Sequence, residues 1–169
     1  AFGKKIKKVT CLVGNRGGFV ANRVMNASGW AVLLQTGVLP HQIDTAAEGY
    51  GMRMGPCRMM DLVGLDLLGR ERAASGEAEP DRNAMDALLA AGRYGQKTGK
   101  GFYKYDEGRQ HSRDEEAEAL IHQLWARNGV TPRSLSDEDI ADVLYLPVVN
   151  EGFRCLEEGM AMRPSDVDV

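Results

Sequence analysis

The chain has 169 residues, of which 21 are basic, 24 acidic and 43% hydrophobic, so it can form one domain, or one domain and part of another. A net charge of -3 gives no large positive field, and nucleic-acid binding is not expected. Mean hydropathy is -0.34 and no apolar run nears the roughly 20 residues of a spanning helix, so no membrane insertion is expected. Three widely spaced cysteines indicate reduced thiols; they are Cys11, Cys57 and Cys155.

The first part of the chain predicts one strand and one helix. Residues 5–13 carry several β-branched side chains and favour a short strand. After the glycine-rich loop 14–18, apolar residues recur from Val20 to Leu34 at spacings of four and three residues. This pattern predicts a single amphipathic helix that ends near Gly37.

Three prolines each predict the start of a helix, because proline lacks the N–H that the first helical turn leaves unpaired. They are Pro40, Pro56 and Pro80. Glycines close the first of these helices, at Gly49 and Gly51. The predicted spans are 40–51, 56–74 and 80–92.

Residues 92–101 are rich in glycine and cations and lead into a short extended segment at 102–105. The glycines here, like those of the 14–18 loop, have the wrong spacing for a dinucleotide fingerprint or a phosphate loop. A flexible turn at 14–18 and a cationic surface turn at 92–101 are the simpler interpretations, with anion contact as an alternative for the second.

Two capping-box patterns begin the last predicted helices. Ser112 with Glu115 precedes an apolar stripe that ends at Gly129, and Ser136 with Asp139 precedes a helix that Pro147 breaks or kinks. Since the chain after the first glycine loop favours helices with short connections, the predicted fold class is all-α, with a short extended segment at the N-terminus.

A weak internal repeat relates residues 24–44 to residues 148–168 at an offset of 124. Amphipathic helices resemble one another easily, but matching polar and proline positions without a gap favour a repeated helix-turn-helix unit. The second copy would stop soon after it begins. The matching pairs include Asn26 with Asn150, Pro40 with Pro164, and Asp44 with Asp168.

Few residues carry a pattern typical of catalysis. His41, His111 and His122 have no partner at metal-ligand spacing, so no metal site is predicted. No serine or cysteine lies in a local nucleophile signature, which leaves a self-contained hydrolase unsupported. The acidic run 114–118 lies at a helix start, where it favours the helix dipole, and acid/base catalysis is a remote alternative.

Asn22 and Asn26 are the more informative polar residues, because they share one face of the first helix. An amide at Asn22, beside the glycine-rich entry, can both donate and accept hydrogen bonds, which suits a carbonyl or hydroxyl substrate. A capping or interhelical hydrogen bond is an equally good interpretation of the same residues.

Five ordered motifs resemble the C-terminal domain of 3-hydroxyacyl-CoA dehydrogenases, and the resemblance covers roughly residues 9–105. They lie at residues 14–23, 43–44, 54–56, 61–66 and 97–105. The remainder, with motifs at 135–137 and 147–151, resembles the start of the second copy of that domain in multifunctional fatty-acid oxidation enzymes. The resemblance therefore implies domains at 1–108 and 137–169, the second truncated, joined by a connecting helix and linker at 109–136.

The resemblance also implies a function in fatty-acid β-oxidation. The family binds acyl-CoA between this helical domain and a Rossmann domain that holds NAD and a catalytic His/Glu pair. Neither the pair nor a cofactor-binding residue has a counterpart here, so the chain alone is predicted to be inactive and to bind no cofactor, with NAD in the parent enzyme. The family's substrate-contacting asparagine maps onto Asn22, with a role in orienting the substrate.

Partners and location follow from the same resemblance. The domain forms a dimer interface in single-copy members, so we expect homo-oligomers through helical faces at Val148, Phe153, Leu156 and Met160. Composition favours a bacterial cytoplasm, with a peroxisome or mitochondrion as the eukaryotic alternative. A non-catalytic helical assembly module is the competing function, and a nucleotide-binding protein ranks last.

Overall fold

Helices make up most of the regular structure in the computed structural model, which describes residues 2–168. A two-stranded antiparallel sheet pairs β1 (Tyr103–Tyr105) with β2 (His111–Arg113), and short 3-10 turns lie at Gln96–Thr98 and Pro164–Asp166. This confirms the predicted all-α fold class. The helices are α1 Phe2–Lys5, α2 Ala21–Asn26, α3 Trp30–Gln35, α4 Pro40–Tyr50, α5 Pro56–Val63, α6 Leu65–Ala74, α7 Ala84–Ala90, α8 Glu115–Arg127 and α9 Asp137–Glu157.

The described chain forms two compact units. The central unit runs from Trp30 to Ala141, and the terminal unit comprises the residues up to Gly29 together with those from Asp142 onward. Helix α9 therefore contributes its first residues to the central unit and the rest to the terminal unit. The domain boundaries predicted after residues 108 and 136 mark the ends of a repeated sequence unit, whereas these two units are defined by their compactness. The predicted boundaries therefore stay a prediction.

The strand predicted at 5–13 is wrong. Residues 2–5 form α1, and residues 8–15 have no regular secondary structure. Val9 and Leu12 are 81% and 82% exposed. A strand is stable only beside another strand, and among residues 2–168 none pairs with this segment.

The single helix predicted from Val20 to Gly37 is also wrong, since the chain forms α2 and α3 with a break between them. A Cβ atom on Gly29 would lie 2.2 Å from the carbonyl oxygen of Val143. That carbonyl lacks its helical donor because Pro147, four residues later, has no N–H. The backbone at Gly29 thus lies directly against α9, and the close approach requires glycine there.

The prolines and glycines predicted the helix starts better than the helix lengths. Helix α4 begins at Pro40 and has Gly51 as its C-cap, as predicted, whereas Gly49, also predicted to close it, lies inside the helix. The helix predicted at 56–74 begins at Pro56 but divides into α5 and α6 at Gly64, whose φ of 100° is outside the helical range. The apolar spacing across Gly64 conceals this break.

Side-chain caps decide where the later helices begin. Helix α7 begins at Ala84 rather than Pro80, because Asn83 accepts hydrogen bonds from the N–H groups of Met85 and Asp86. Asp114 caps α8; the predicted cap, Ser112, lies in β2 instead.

The last helix begins as predicted. The Asp139 N–H donates to the Ser136 hydroxyl at 3.1 Å, and the hydroxyl donates to the Asp139 carboxylate at 2.6 Å. Helix α9 then continues through Pro147 to Glu157. Of the two predicted alternatives at Pro147, a break is therefore wrong, and a kink stays a prediction.

Each unit has its own apolar core. In the central unit the Trp125 indole N–H donates to the Leu34 carbonyl at 2.6 Å, which joins α8 to α3. In the terminal unit a small core consists of Val20, Cys155, Met160 and Ala161. No helix within residues 2–168 is long and apolar enough to cross a bilayer.

Candidate functional site

Asn22 lies in the first turn of α2, with its side chain exposed to solvent. Its backbone N–H donates to the Gly18 carbonyl at 3.1 Å. The side-chain amide has no hydrogen-bond partner among residues 2–168, and neither has that of Asn26. Both amides are therefore free for a ligand, and neither caps a helix.

The turn before Asn22 has an unusual backbone. Gly18 has a φ of 75°, and a Cβ atom added there would lie 3.3 Å from the Cβ of Asn22. Phe19 has a φ of 49° although it carries a bulky side chain, and it is 54% exposed. A left-handed conformation at such a residue costs of order 1–3 kcal/mol and persists only where the surroundings enforce it. The turn is thus held in one arrangement beside Asn22.

The inner side of α2 is apolar. Val20 is buried in the core of the terminal unit, and Val24 packs against that core one turn later. Residues four apart share a helix face, so these two valines turn Asn22 and Asn26 toward the opposite, outer side. The amides and the core contacts therefore occupy different faces of one short helix.

Arg23 ties α2 to the last part of α9 and the residue that follows it. Its Nε donates to Glu151 at 2.5 Å, and its two terminal nitrogens donate to Glu158 at 2.7 and 2.9 Å. Glu158 also accepts from Arg16 of the glycine-rich turn at 3.0 Å. Hydrogen bonding to Arg23 lowers the pKa of both glutamates, so they stay ionised at neutral pH.

A second polar cluster, in the central unit, is buried rather than exposed. The Asp44 carboxylate accepts from the N–H groups of Cys57 and Arg58 at 2.9 and 3.0 Å and from the Tyr103 hydroxyl at 2.8 Å. Burial raises the pKa of Asp44, of Tyr103 and of the Cys57 thiol. Asp44 thereby caps the N-terminus of α5 from a distance and holds β1 against it.

Asp61, in α5, is a second buried carboxylate that binds β1. Its carboxylate accepts from the N–H groups of Phe102 and Tyr103 at 2.9 and 3.0 Å and from the Tyr105 hydroxyl at 3.0 Å. A Cβ atom on Gly101 would lie 1.9 Å from this carboxylate. Burial raises the pKa of Asp61 to about 6. Gly55 of the 54–56 motif also lies against Asp44, with no room for a Cβ atom between them. Four of the five motifs identified in the sequence therefore meet at two buried carboxylates, and their contacts are structural.

The other candidates stay apart. The 92–101 segment forms a tight turn in which Lys97 pairs with Asp66. The Nδ1 atom of His41 lies 3.4 Å from the Oε1 atom of Glu118. The His111 ring packs edge-on against Tyr103, and the His122 ring packs edge-on against Trp125. Within residues 2–168 no group of three or more His, Cys, Asp or Glu side chains could hold a metal ion.

A family model described as the C-terminal domain of 3-hydroxyacyl-CoA dehydrogenase matches residues 18–105. The chain belongs to this family. The matched residues include Asn22 of the terminal unit and the two buried carboxylates of the central unit.

Known relatives extend the similarity beyond the family match. The peroxisomal bifunctional enzyme of Pongo abelii is 37% identical over 98% of this chain, and the peroxisomal fatty acid beta-oxidation multifunctional protein of Oryza sativa subsp. japonica is 36% identical over 99%. The chain covers only 26% and 24% of these relatives. The crystal structure of the dehydrogenase part of multifunctional enzyme 1 from C. elegans matches with a TM-score of 0.77 and 34% identity, over 98% of this chain and 38% of that one.

The sequence predicts Asn22 as a site residue, and this stays a prediction; it did not predict the buried carboxylate of Asp44 in the central unit or the ion pairs of Arg23 in the terminal unit. Asp44 follows an apolar residue inside an amphipathic helix, and a carboxylate in that position is the signal that could have indicated a buried acceptor. The pairing of Arg23 with Glu151 and Glu158 spans more than 120 residues, and no local pattern predicts it.

Proposed function

We propose that this chain supplies the substrate-orienting side of an NAD-dependent 3-hydroxyacyl-CoA dehydrogenase of fatty-acid β-oxidation. The observation that carries the proposal is the free Asn22 amide, exposed at the start of α2 within the matched residues 18–105. An amide can accept a hydrogen bond from the 3-hydroxyl of the substrate and donate one to the 3-oxo group of the product. Asn22 then acts by positioning the reacting carbon, not by proton transfer.

NAD binding belongs to a part of the parent protein outside this chain. Residues 2–168 contain no parallel sheet on which a dinucleotide-binding turn could sit, and the 14–18 turn leads into a helix of only six residues. The residues present therefore do not fit the cofactor, and no step of hydride transfer is assigned to them. We expect the purified chain to be inactive and to bind NAD weakly or not at all.

The test compares Asn22→Ala with Asn26→Ala in the full-length parent enzyme. The two amides are alike in chemistry and exposure, but the family's substrate-contacting asparagine maps onto Asn22 alone, and Asn26 lies at the far end of α2 from the glycine-rich turn, so Asn26→Ala is a matched control. We expect Asn22→Ala to lower kcat/KM by about 10- to 100-fold, the scale of a misplaced substrate, and Asn26→Ala to stay within about twofold of the unmodified enzyme. Equal rates in all three proteins would favour the non-catalytic assembly module.

Self-association is a second proposal, and an exposed apolar stripe in the terminal unit supports it. Leu146, Val149 and Phe153 are exposed at helical spacing on α9. The sequence predicted that the oligomer interface also includes Leu156 and Met160. Met160, however, is buried in the core of the terminal unit, and Leu156 packs against that core. In light scattering, the mass of the unmodified chain should increase with protein concentration, and Phe153→Asp should abolish this increase. If the unmodified chain is a monomer at all concentrations, the proposal is contradicted.

Two alternative locations are proposed for the parent protein. Composition supports the bacterial cytoplasm, whereas the peroxisomal and glyoxysomal names of the relatives support the eukaryotic alternative. Fractionation of the source cells, with antibody against this chain, distinguishes them.

A further inference from the structure

Helix α2 has little of its own to hold it in place. It has six residues, none of them buried, and no side-chain hydrogen bond caps its start. Isolated helices shorter than about 12 residues are marginal in water. The orientation of the Asn22 amide therefore depends on contacts that neighbouring side chains make with the rest of the terminal unit.

The apolar contacts of α2 leave its direction under-determined. Val20 and Val24 anchor one side of it to the core, but hydrophobic contact is not directional. A small rotation of α2 about its own axis would keep both valines covered and swing Asn22 away. A directional interaction is needed to fix this rotation.

Arg23 provides that interaction, because all three nitrogens of its guanidinium are engaged: Nε by Glu151, and the two terminal nitrogens by Glu158. A planar fork bonded in this way fixes orientation as well as distance. The Arg23 side chain is only 20% exposed, which sets the group apart from isolated surface ion pairs of little energetic consequence.

Glu158 holds both chain segments that flank Asn22. It binds Arg23 after Asn22 and Arg16 in the turn before it. The same turn is tied down by a 2.8 Å hydrogen bond from the Gly14 N–H to the Met160 carbonyl. Glu158 and Met160, just beyond the end of α9, thus bind the chain on both sides of Asn22.

We infer that Glu158 is a positioning residue for Asn22, acting through Arg23 and Arg16. The C-terminal residues 142–168 are then part of the Asn22 site, whether or not they also begin a second copy of the domain. The structural coupling between Glu158 and Asn22 is inferred from these contacts alone. Its consequence for turnover rests on the function proposed above.

The structural coupling is tested on this chain by NMR. Glu158→Gln removes the negative charge that Arg16 and Arg23 bind. Glu157→Gln is a matched control, because Glu157 is exposed at the end of α9 and makes no ion pair within residues 2–168. We expect Glu158→Gln to shift the backbone and side-chain amide resonances of Asn22 and to speed hydrogen exchange in α2. Asn22 resonances that move equally little in both variants would overturn the inference.

The catalytic consequence is tested by a double-mutant cycle in the full-length parent enzyme. If Glu158 acts through Asn22, Glu158→Gln lowers kcat by about 3- to 10-fold with KM nearly unchanged, and it causes no further loss once Asn22 is Ala. A general loss of stability would instead lower kcat by the same factor in both backgrounds, which would overturn the positioning role. If Asn22→Ala alone has no effect, the proposed function fails, and the NMR comparison still decides the coupling.

Discussion

The hydroxyl of Tyr103 donates a 2.8 Å hydrogen bond to the carboxylate of Asp44, and both side chains are buried. The same carboxylate accepts from two N–H groups in the first turn of α5. One charged group therefore joins α4, α5 and β1. Because a buried carboxylate is stable only when its lone pairs are satisfied, this contact is an essential part of the central unit.

Removal of the Tyr103 hydroxyl should destabilise the protein with little change in shape. Tyr103→Phe leaves the ring in place but takes one donor from a buried charge, which costs about 1.5–3 kcal/mol. Chemical denaturation measures this loss. Tyr94→Phe is the control, because the Tyr94 hydroxyl has no partner among the described residues. Equal midpoints for the two variants would contradict the prediction.

Asp61 should make stability depend on pH between about 4 and 6. Its pKa in the folded protein is raised to about 6, mainly by burial, against an ordinary value of 3.8. The folded state therefore binds the proton more tightly. The stabilisation from this group is complete below about pH 4 and is lost as the pH rises through 6, at up to about 1.4 kcal/mol per pH unit.

The measurement compares free energies of unfolding across this pH range for the unmodified protein and for Asp61→Asn, which cannot titrate. Asp61→Asn is expected to be less stable throughout, because its NH2 group would meet backbone donors. The difference between the two proteins should shrink as pH rises from 4 to 6. A difference that stays constant over this range would refute the raised pKa.

Gly101 should tolerate no side chain. A Cβ atom there would lie 1.9 Å from the Asp61 carboxylate, so Gly101→Ala must displace a buried charge and its donors, at a cost of about 3 kcal/mol or more. Gly49 lies inside α4 with open space around its Cβ position. Gly49→Ala should therefore stabilise by roughly 0.5–1 kcal/mol. Thermal unfolding of the two variants should shift in opposite directions.

Local patterns predicted the fold class and many helix starts, but long-range contacts decided the rest. Pro40 and Ser136 begin their helices through interactions within the next few residues, and the sequence predicted both. The break at Gly29 depends on the Val143 carbonyl, more than 110 residues away. A strand at 5–13 would have needed a partner strand, and β-branched composition cannot supply one.

The candidate site divides in the same way. Asn22 is predicted from a motif, because its amide lies beside a glycine-rich turn in one continuous segment, and its role stays a prediction. Glu151 and Glu158, which bind the neighbouring Arg23, were assigned only to a truncated repeat. Their role depends on which turn of α9 faces α2, and amphipathic spacing does not determine that packing.

The start of α7 provides a prediction that separates a side-chain cap from a proline signal. Asn83 accepts hydrogen bonds from the N–H groups of Met85 and Asp86 at 2.9 and 3.3 Å. Asn83→Ala should therefore cost about 1 kcal/mol of stability. Pro80, the predicted start, lies in a turn outside the helix, and Pro80→Ala should change stability by less than about 0.5 kcal/mol. Urea denaturation decides between them, since a larger loss for Pro80→Ala would mean that the proline, and not the asparagine, determines where α7 begins.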